Sequence, residues 1–289
     1  MTVDLPPLPR GLILAATPLG NIGDASERLR QALSEADYIA AEDTRRTKAL
    51  AQALGIEVKG KIISNFDHNE RSRVATLIEL ARDGRVVVVT DAGMPIVSDP
   101  GFPLVEAAHE QGIPITCFPG PSAVPVALAL SGLHVGKFAF DGFAPRKKGA
   151  RLSWLESLKN EERAVCFFES PHRIVDTLSD ALDVLGPQRR VAVVRELTKT
   201  FEEVKRGSLL EVLQWAQSGV RGEITCVIEG NLGARDVDID DIIAEAVERA
   251  AAGERLKSVC KDLARTYSLR ANDIFESALV ARDKVLNHE

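Results

Sequence analysis

Aspartates, glycines and prolines gather where three apolar runs break off abruptly. Leu12 to Ala16 ends in Thr17-Pro-Leu-Gly-Asn21. Val86 to Val89 ends in Thr90-Asp-Ala-Gly-Met-Pro95 and Ser98-Asp-Pro-Gly101, and Ile115 to Phe118 ends in Pro119-Gly-Pro-Ser122. Such loops, placed at the carboxyl ends of strands, line a crevice with backbone groups. Prolines remove N–H donors and leave carbonyls to accept. Together with Asp91 and Asp99, those carbonyls suit a cationic or amine-bearing ligand. A helix beginning at Ser122 would offer its free N–H groups to a carboxylate.

Other ligand classes fit less well. A dinucleotide crevice needs Gly-x-Gly-x-x-Gly after the first strand, and Pro18-Leu-Gly-Asn-Ile-Gly23 supplies only Gly20 and Gly23. No Gly-Lys-Ser/Thr phosphate loop occurs. A molecule with a positive centre, an amine, a carboxylate and an adenine ring meets all the demands of the three loops. S-adenosylmethionine is one such molecule, compatible with the residues without being singled out by them. No His/Cys/Asp/Glu cluster has metal-ligand spacing, so no metal is expected.

The elements that must hold these loops read as alternating strands and helices. Strands are expected at Leu12–Ala16, Tyr38–Ala41, Lys61–Ser64, Arg85–Thr90 and Ile115–Phe118. Asp24, with Glu27 three residues on, reads as the cap of the first helix. Val74, Leu77, Ile78 and Ala81 mark the apolar face of another, which Gly84 closes. Gly136–Gly142 reads as a crossover. A second α/β unit follows, with strands at Phe138–Phe140, Ala164–Phe168, Val191–Arg195 and Ile224–Glu229. Beyond Asp236 the pattern is helical only, and Leu256–Phe275 reads as helix, tight turn, helix. The expected division is 1–135, 136–232 and 233–289.

With 289 residues the chain is long enough for two domains. Its net charge of −6 argues against a protein that coats nucleic acid nonspecifically, although Arg146-Lys-Lys-Gly-Ala-Arg151 forms a local basic run. Met1 to Arg10 holds three prolines and no apolar core, so it does not read as a signal peptide, and no stretch approaches a membrane span. The four cysteines, Cys117, Cys166, Cys226 and Cys260, form no CxxC pair and read as buried free thiols of a reducing cytosol.

Taken together, Thr17-Pro-Leu-Gly-Asn21, Ala41-Glu-Asp-Thr-Arg45, Asp67-His-Asn-Glu70, Thr90-Asp-Ala-Gly-Met-Pro95, Ser98-Asp-Pro-Gly101 and Pro119-Gly-Pro-Ser-Ala123 carry a resemblance. So do Phe167-Phe-Glu-Ser-Pro-His-Arg173, Arg195-Glu-Leu-Thr-Lys199 and Gly222-Glu-Ile-Thr225. In order and spacing they resemble the bacterial 16S ribosomal RNA (cytidine) 2′-O-methyltransferases, a branch of the tetrapyrrole-methylase superfamily. Met94 departs from the threonine that many members carry. The resemblance implies two α/β domains of the class III methyltransferase type plus a C-terminal helical extension, and a homodimer in the cytoplasm. It further implies S-adenosylmethionine in the cleft between the domains and, as substrate, a decoding-centre cytidine of the small ribosomal subunit. Carried over residue by residue, the first-domain contacts to the donor are Pro18, Gly20, Asp91, Ala92, Gly93, Met94, Val97, Ser122 and Ala123. Phe168, Arg195 and Thr225 are those of the second domain.

Methyl transfer to a ribose hydroxyl needs alignment and a destination for a proton. Candidate acceptors are Glu42, Asp43, His68, Glu70, Glu169 and Glu196; Asp43 and Glu169 are favoured because each directly follows a strand. Plainer roles compete: Asp43 pairing with Arg45, Glu169 anchoring Arg173, His68-Asn69 capping the next helix. Arg45, Arg46, Arg146, Lys147 and Arg173 are the expected RNA contacts, and Lys257, Lys261, Arg265 and Arg270 an auxiliary grip in the tail. Few aromatics neighbour these cations in sequence, so no base-stacking platform is evident. Two other readings stay open: a methyltransferase acting on a tetrapyrrole or a modified protein side chain, and a non-catalytic ribosome-assembly factor.

Overall fold

A computed structural model describes residues 5–66, 70–231, 239–267 and 269–286. The first sheet is parallel throughout. It contains β1 (Gly11–Ala15), β2 (Tyr38–Ala41), β3 (Lys61–Ser64), β4 (Arg85–Val89) and β5 (Ile115–Phe118) in the order β3-β2-β4-β1-β5. Its strands are apolar on both sides because both faces are covered. Ile13, Ala15, Ile39, Ala41, Val87 and Val89 pack on Leu29, Ala32 and Leu33 of α1 (Glu27–Glu35). Leu12, Ala40, Val86 and Val88 pack on α3 (Glu70–Asp83) and α4 (Phe102–Glu110). Between α1 and α3 lies α2 (Thr44–Ala53). The chain leaves β1 toward β2 on one side and returns to β5 on the other, so strand order reverses at β1. Such a reversal opens a crevice at the carboxyl ends of the strands.

The second sheet contains β6 (Phe138–Phe143), β7 (Ala164–Glu169), β8 (Arg190–Arg195), β9 (Glu203–Ser208) and β10 (Ile224–Ile228) in the order β6-β7-β10-β8-β9. Only β6 and β7 run parallel. One face packs on α6 (Lys148–Ser157), α7 (Ile174–Leu185) and α8 (Leu209–Ala216). The other receives α5 (Ala123–Ser131), whose Val124, Ala127 and Leu128 lie against Cys166, Ala192, Val194 and Val227. In sequence α5 belongs to the first unit, yet it plugs the second sheet. The stripe it buries there is Val124, Ala127, Leu128 and Ser131, at helical spacing.

Beyond the second sheet, α9 (Ile239–Ala251), α10 (Leu256–Tyr267) and α11 (Ala271–Leu286) share a core of their own around Ile242, Val259, Leu263 and Ile274. The expected boundary at 232/233 and the side chain of Arg265 lie outside the described residues.

Several expectations are corrected. Ser26, not Asp24, caps α1, its hydroxyl accepting from the Leu29 N–H at 3.0 Å; Asp24 ends a short 3-10 turn capped by Asn21. Gly136–Gly142 is largely β6, and the crossover is the short segment 132–137 before it. β9 was not foreseen because Glu203-Val-Lys-Arg-Gly-Ser208 is polar, as befits an edge strand that must not recruit another chain. Cys117 is exposed; Cys166, Cys226 and Cys260 are buried.

Candidate functional site

The three loops converge on Gly93. Its N–H and C=O pair with Thr17 at 3.0 and 2.9 Å, tying the loop after β4 to the loop after β1. The Thr17 hydroxyl adds a bond to the Thr90 carbonyl at 3.1 Å. A side chain on Gly93 (φ +88°) would press on Leu19 at 3.1 Å and come within 3.6 Å of the Pro121 carbonyl, so the third loop closes on the same point. Ile96 (φ 75°) and Ser98 (φ 66°) hold left-handed conformations in the loop after β4. A β-branched residue there is strained, and such strain persists where surrounding contacts over-determine it. Glu70 is one such contact, accepting the Gly101 N–H at 2.9 Å.

Carboxylates collect beside this point. Glu42 Oε2 accepts the Thr90 hydroxyl at 2.6 Å and the Asp91 N–H at 3.1 Å. The Thr90 hydroxyl also lies 2.8 Å from Asp99 Oδ2. Burial, then the nearby Glu42 charge, raises the Asp91 pKa, while Arg46 at 3.3 Å pulls the other way. A cation placed against Asp91 would relieve that penalty. In the third loop Ser122 makes no side-chain cap to α5, so the first N–H groups of this nine-residue helix remain available to an anion. The residues present thus fit a ligand with a cationic centre and a carboxylate.

The second domain reaches the same loops by two routes. Phe168, Val194 and Thr225 are directly paired across β7, β10 and β8, so they share the face turned to α5. Phe168 packs there with Val97, Leu19 and Ala123. The turn after β8 also leans across: Thr198 Oγ1 accepts the Asn21 N–H at 3.1 Å, and the Lys199 stem covers Gly20 so closely that a Cβ there would overlap it. Lys199 Nζ is fixed by Glu196 and Glu223, both at 2.9 Å. Burial would lower its pKa, but those two carboxylates outweigh burial and hold it above the ordinary value. In the sequence Lys199 reads as part of a motif and as one of a few recurring cations, not as a cover for Gly20. The left-handed Glu196 (φ 51°) and Thr198 (φ 64°) that aim it are invisible in one dimension.

Strand alternation separates the remaining second-domain candidates from the loops. Arg195, Ile224 and Glu169 are paired on the opposite face, on the side of α6–α8. Arg195 is held by Glu203 at 2.6 Å and is not brought to those loops. The Glu169 side chain has no exposed surface: it accepts from the Ser170 N–H at 2.7 Å and the Thr177 hydroxyl at 2.6 Å and pairs with Arg173. Asp43 caps α2 and is bonded by Arg45, whose guanidinium holds its pKa at about 2. Both carboxylates therefore occupy the plainer roles. His68, with Asp67 and Asn69, lies outside the described residues.

Of the expected RNA contacts, Arg45, Arg46, Arg146 and Lys147 are exposed in part or whole. Arg173 is mostly covered, with Nη2 donating to the Ala144 carbonyl at 3.2 Å and Nη1 buried without a hydrogen-bond partner among the described residues. A depression of about 720 Å³ lies at the far, amino ends of the strands, lined in part by Asp37 and Arg85. It lies at the opposite ends of the strands from the three converging loops, whereas ligand crevices of open α/β sheets form at the carboxyl ends. Among the described residues no group of His, Cys, Asp and Glu could hold a metal, and no helix is long and apolar enough to cross a membrane.

Known proteins are similar to this chain in sequence and in fold. A protein of Mycobacterium tuberculosis named ribosomal RNA small subunit methyltransferase I is 48% identical over 94% of this chain and 95% of its own. Proteins of the same name from Halalkalibacterium halodurans and Escherichia coli O157:H7 are 40% and 35% identical, over 91% and 93% of this chain and 93% and 94% of theirs. The fold is that of uroporphyrin-III-C-methyltransferase from Thermus thermophilus (TM-score 0.53, 19% identity, 78% of this chain and 96% of that one). Diphthine synthase shares it too (TM-score 0.55, 17% identity, 75% and 89%). The tetrapyrrole (corrin/porphyrin) methylase family matches residues 11–213. The chain belongs to that family and, within it, to the group named ribosomal RNA small subunit methyltransferase I.

Proposed function

We propose that this chain transfers a methyl group from S-adenosylmethionine to the ribose 2′-hydroxyl of a cytidine in the decoding centre of 16S ribosomal RNA. The observation that carries the reading is the convergence on Gly93 of three loops with a cation-seeking side at Asp91 and an anion-seeking side at Ser122. The group name of the relatives supports the choice of substrate.

Pro18, Gly20, Asp91, Ala92, Gly93, Met94, Val97, Ser122 and Ala123 would hold the donor, closed over by Phe168 and Thr225. Bound there, S-adenosylmethionine supplies a methyl already activated by its sulfonium charge. The chain's own residues bind the donor and orient the hydroxyl against it. Neither Asp43, depressed to about 2, nor Glu169, buried and occupied, suits proton abstraction at neutral pH. Alignment therefore supplies most of the rate, and the 2′-proton passes to solvent. The working unit in this reading is a cytoplasmic homodimer, divided at 1–135, 136–232 and 233–289.

Small subunits lacking the modification, incubated with the protein and methyl-labelled donor, test it. Label on a ribose 2′-oxygen is the expected result. Label only on a base nitrogen, only on a tetrapyrrole or protein acceptor, or on nothing, would overturn it.

A further inference from the structure

One aromatic side chain of the second sheet is placed against the ordinary rule of burial. Phe143 ends β6 with 60% of its surface exposed, although it touches Phe168 with ring centroids 5.4 Å apart. Phe140 meets the same Phe168 ring at 5.0 Å. Residues three apart on a regular strand face opposite ways. Here a β-bulge between Phe140 and Phe143, with Gly142 at φ +69°, shifts the register so that both meet one ring. On a regular strand Phe143 would turn to the face of α6–α8 instead. Bulges of this kind re-aim side chains beside functional sites.

The bulge also adjoins the donor loops. A Cβ on Gly142 would lie 3.4 Å from the Ser98 hydroxyl, in the loop after β4. Phe168 packs with Val97 of that loop. The platform is stiff from behind: the Ala144 N–H bonds the Phe168 carbonyl at 3.2 Å, and Arg173 Nη2 holds the Ala144 carbonyl. Arg146 and Lys147 follow directly, exposed, and neither forms an ion pair with a described residue. Lys148, also exposed, leans to Asp180 at 3.6 Å.

An exposed ring with free cations beside it matches one unstacked base and its phosphates. We infer that Phe143 is the stacking platform for the base of the target nucleotide, with the flanking phosphates held by Arg146 and Lys147. This rests on the RNA-methylating function proposed above. It places the base at the cleft's second-domain lip, where its ribose can face the loop after β4.

The test uses the full chain, unmodified small subunits and the variants Phe143→Ala, Phe143→Leu and Phe143→Trp. Phe143→Ala and Phe143→Leu should lower kcat/KM for subunits roughly tenfold or more, the usual scale of a lost base–aromatic stack. Phe143→Trp should keep most of it. Donor Kd and thermal midpoint should match the parent in all three. A second measurement follows the fluorescence of Phe143→Trp, less that of the parent, as a short cytidine-containing single strand is added; quenching is expected. Full activity of Phe143→Ala would overturn the inference. So would a change of oligomeric state on sedimentation, which would make the ring a contact between copies. If the parent methylates no subunits, the functional reading fails, and the quenching alone then decides for or against the platform.

Discussion

The backbone N–H of Asn21 and the hydroxyl of Thr198 are bonded at 3.1 Å, joining the loop after β1 to the turn after β8 across the domain cleft. Thr198 holds φ 64° to make the bond, a conformation a β-branched residue rarely adopts. The second domain thus bears directly on the loops proposed to hold the donor. A neutral hydrogen bond of this kind is worth about 1 kcal/mol, or roughly fivefold in affinity. Thr198→Val should weaken S-adenosylmethionine binding by that factor in calorimetric titration, and Thr198→Ser should restore it. Equal affinity in all three proteins would show that the contact does not bear on the donor.

Asp91 supplies a pH dependence. Burial, with Glu42 beside it, already favours its protonated form. A cationic donor favours the ionised form, so binding releases a proton and strengthens as pH rises through the Asp91 titration. Donor Kd measured from acid to neutral pH should fall and then level. In Asp91→Asn the slope should vanish and affinity should be weaker throughout. A slope that survives the substitution would assign the titration elsewhere.

At the other end of the first sheet, Asp37 bonds Arg85 through both oxygens at 2.8 and 2.9 Å. The Arg85 hydrogen bonds lower the Asp37 pKa from 3.8 to about 2. A depressed carboxyl contributes stability that is complete above its unfolded pKa and is lost as pH falls through the folded one. The pair's contribution is thus present at neutral pH and disappears between about 4 and about 2. The pair is partly exposed, so solvent screens it and the effect is modest. Thermal midpoints over that range should drop more steeply for the parent than for Asp37→Asn; parallel curves would deny the pair a role.

Arg151 and Asp180 form the buried counterpart, with Nη2 and Nε at 2.6 and 2.8 Å from one carboxylate oxygen between α6 and α7. Removing one member of a buried pair costs about 3–5 kcal/mol, and Lys148, 3.6 Å from the other oxygen of Asp180, is too exposed to replace the arginine. Arg151→Met should lose that much in urea unfolding, while Arg151→Met with Asp180→Leu should recover most of it. Donor affinity should not follow, since neither residue reaches the loops. A single variant as stable as the parent would refute the assignment.

Much of this protein is legible in one dimension. The apolar runs of β1, β2, β4 and β5, the Gly/Pro breaks after three of them and the periodic face of α3 follow from local patterning. The central strands β1, β2 and β4 could be read because they are buried on both faces, which leaves near-continuous apolar runs. The spacing of the loop motifs carried the family resemblance, and with it the donor.

Tertiary structure decided the rest, because those decisions depend on register and on contacts across the cleft. Strand alternation set Phe168 and Thr225 toward α5 and turned Arg195 and Glu169 away, although all four stand in family motifs. Asp43 became a cap and Glu169 an anchor only once Arg45 and Arg173 were in place. The strained Thr198 and the bulge at Gly142 leave no mark in composition. A one-residue shift in pairing reverses the direction of every side chain beyond it, and here it brought Phe143 into the open.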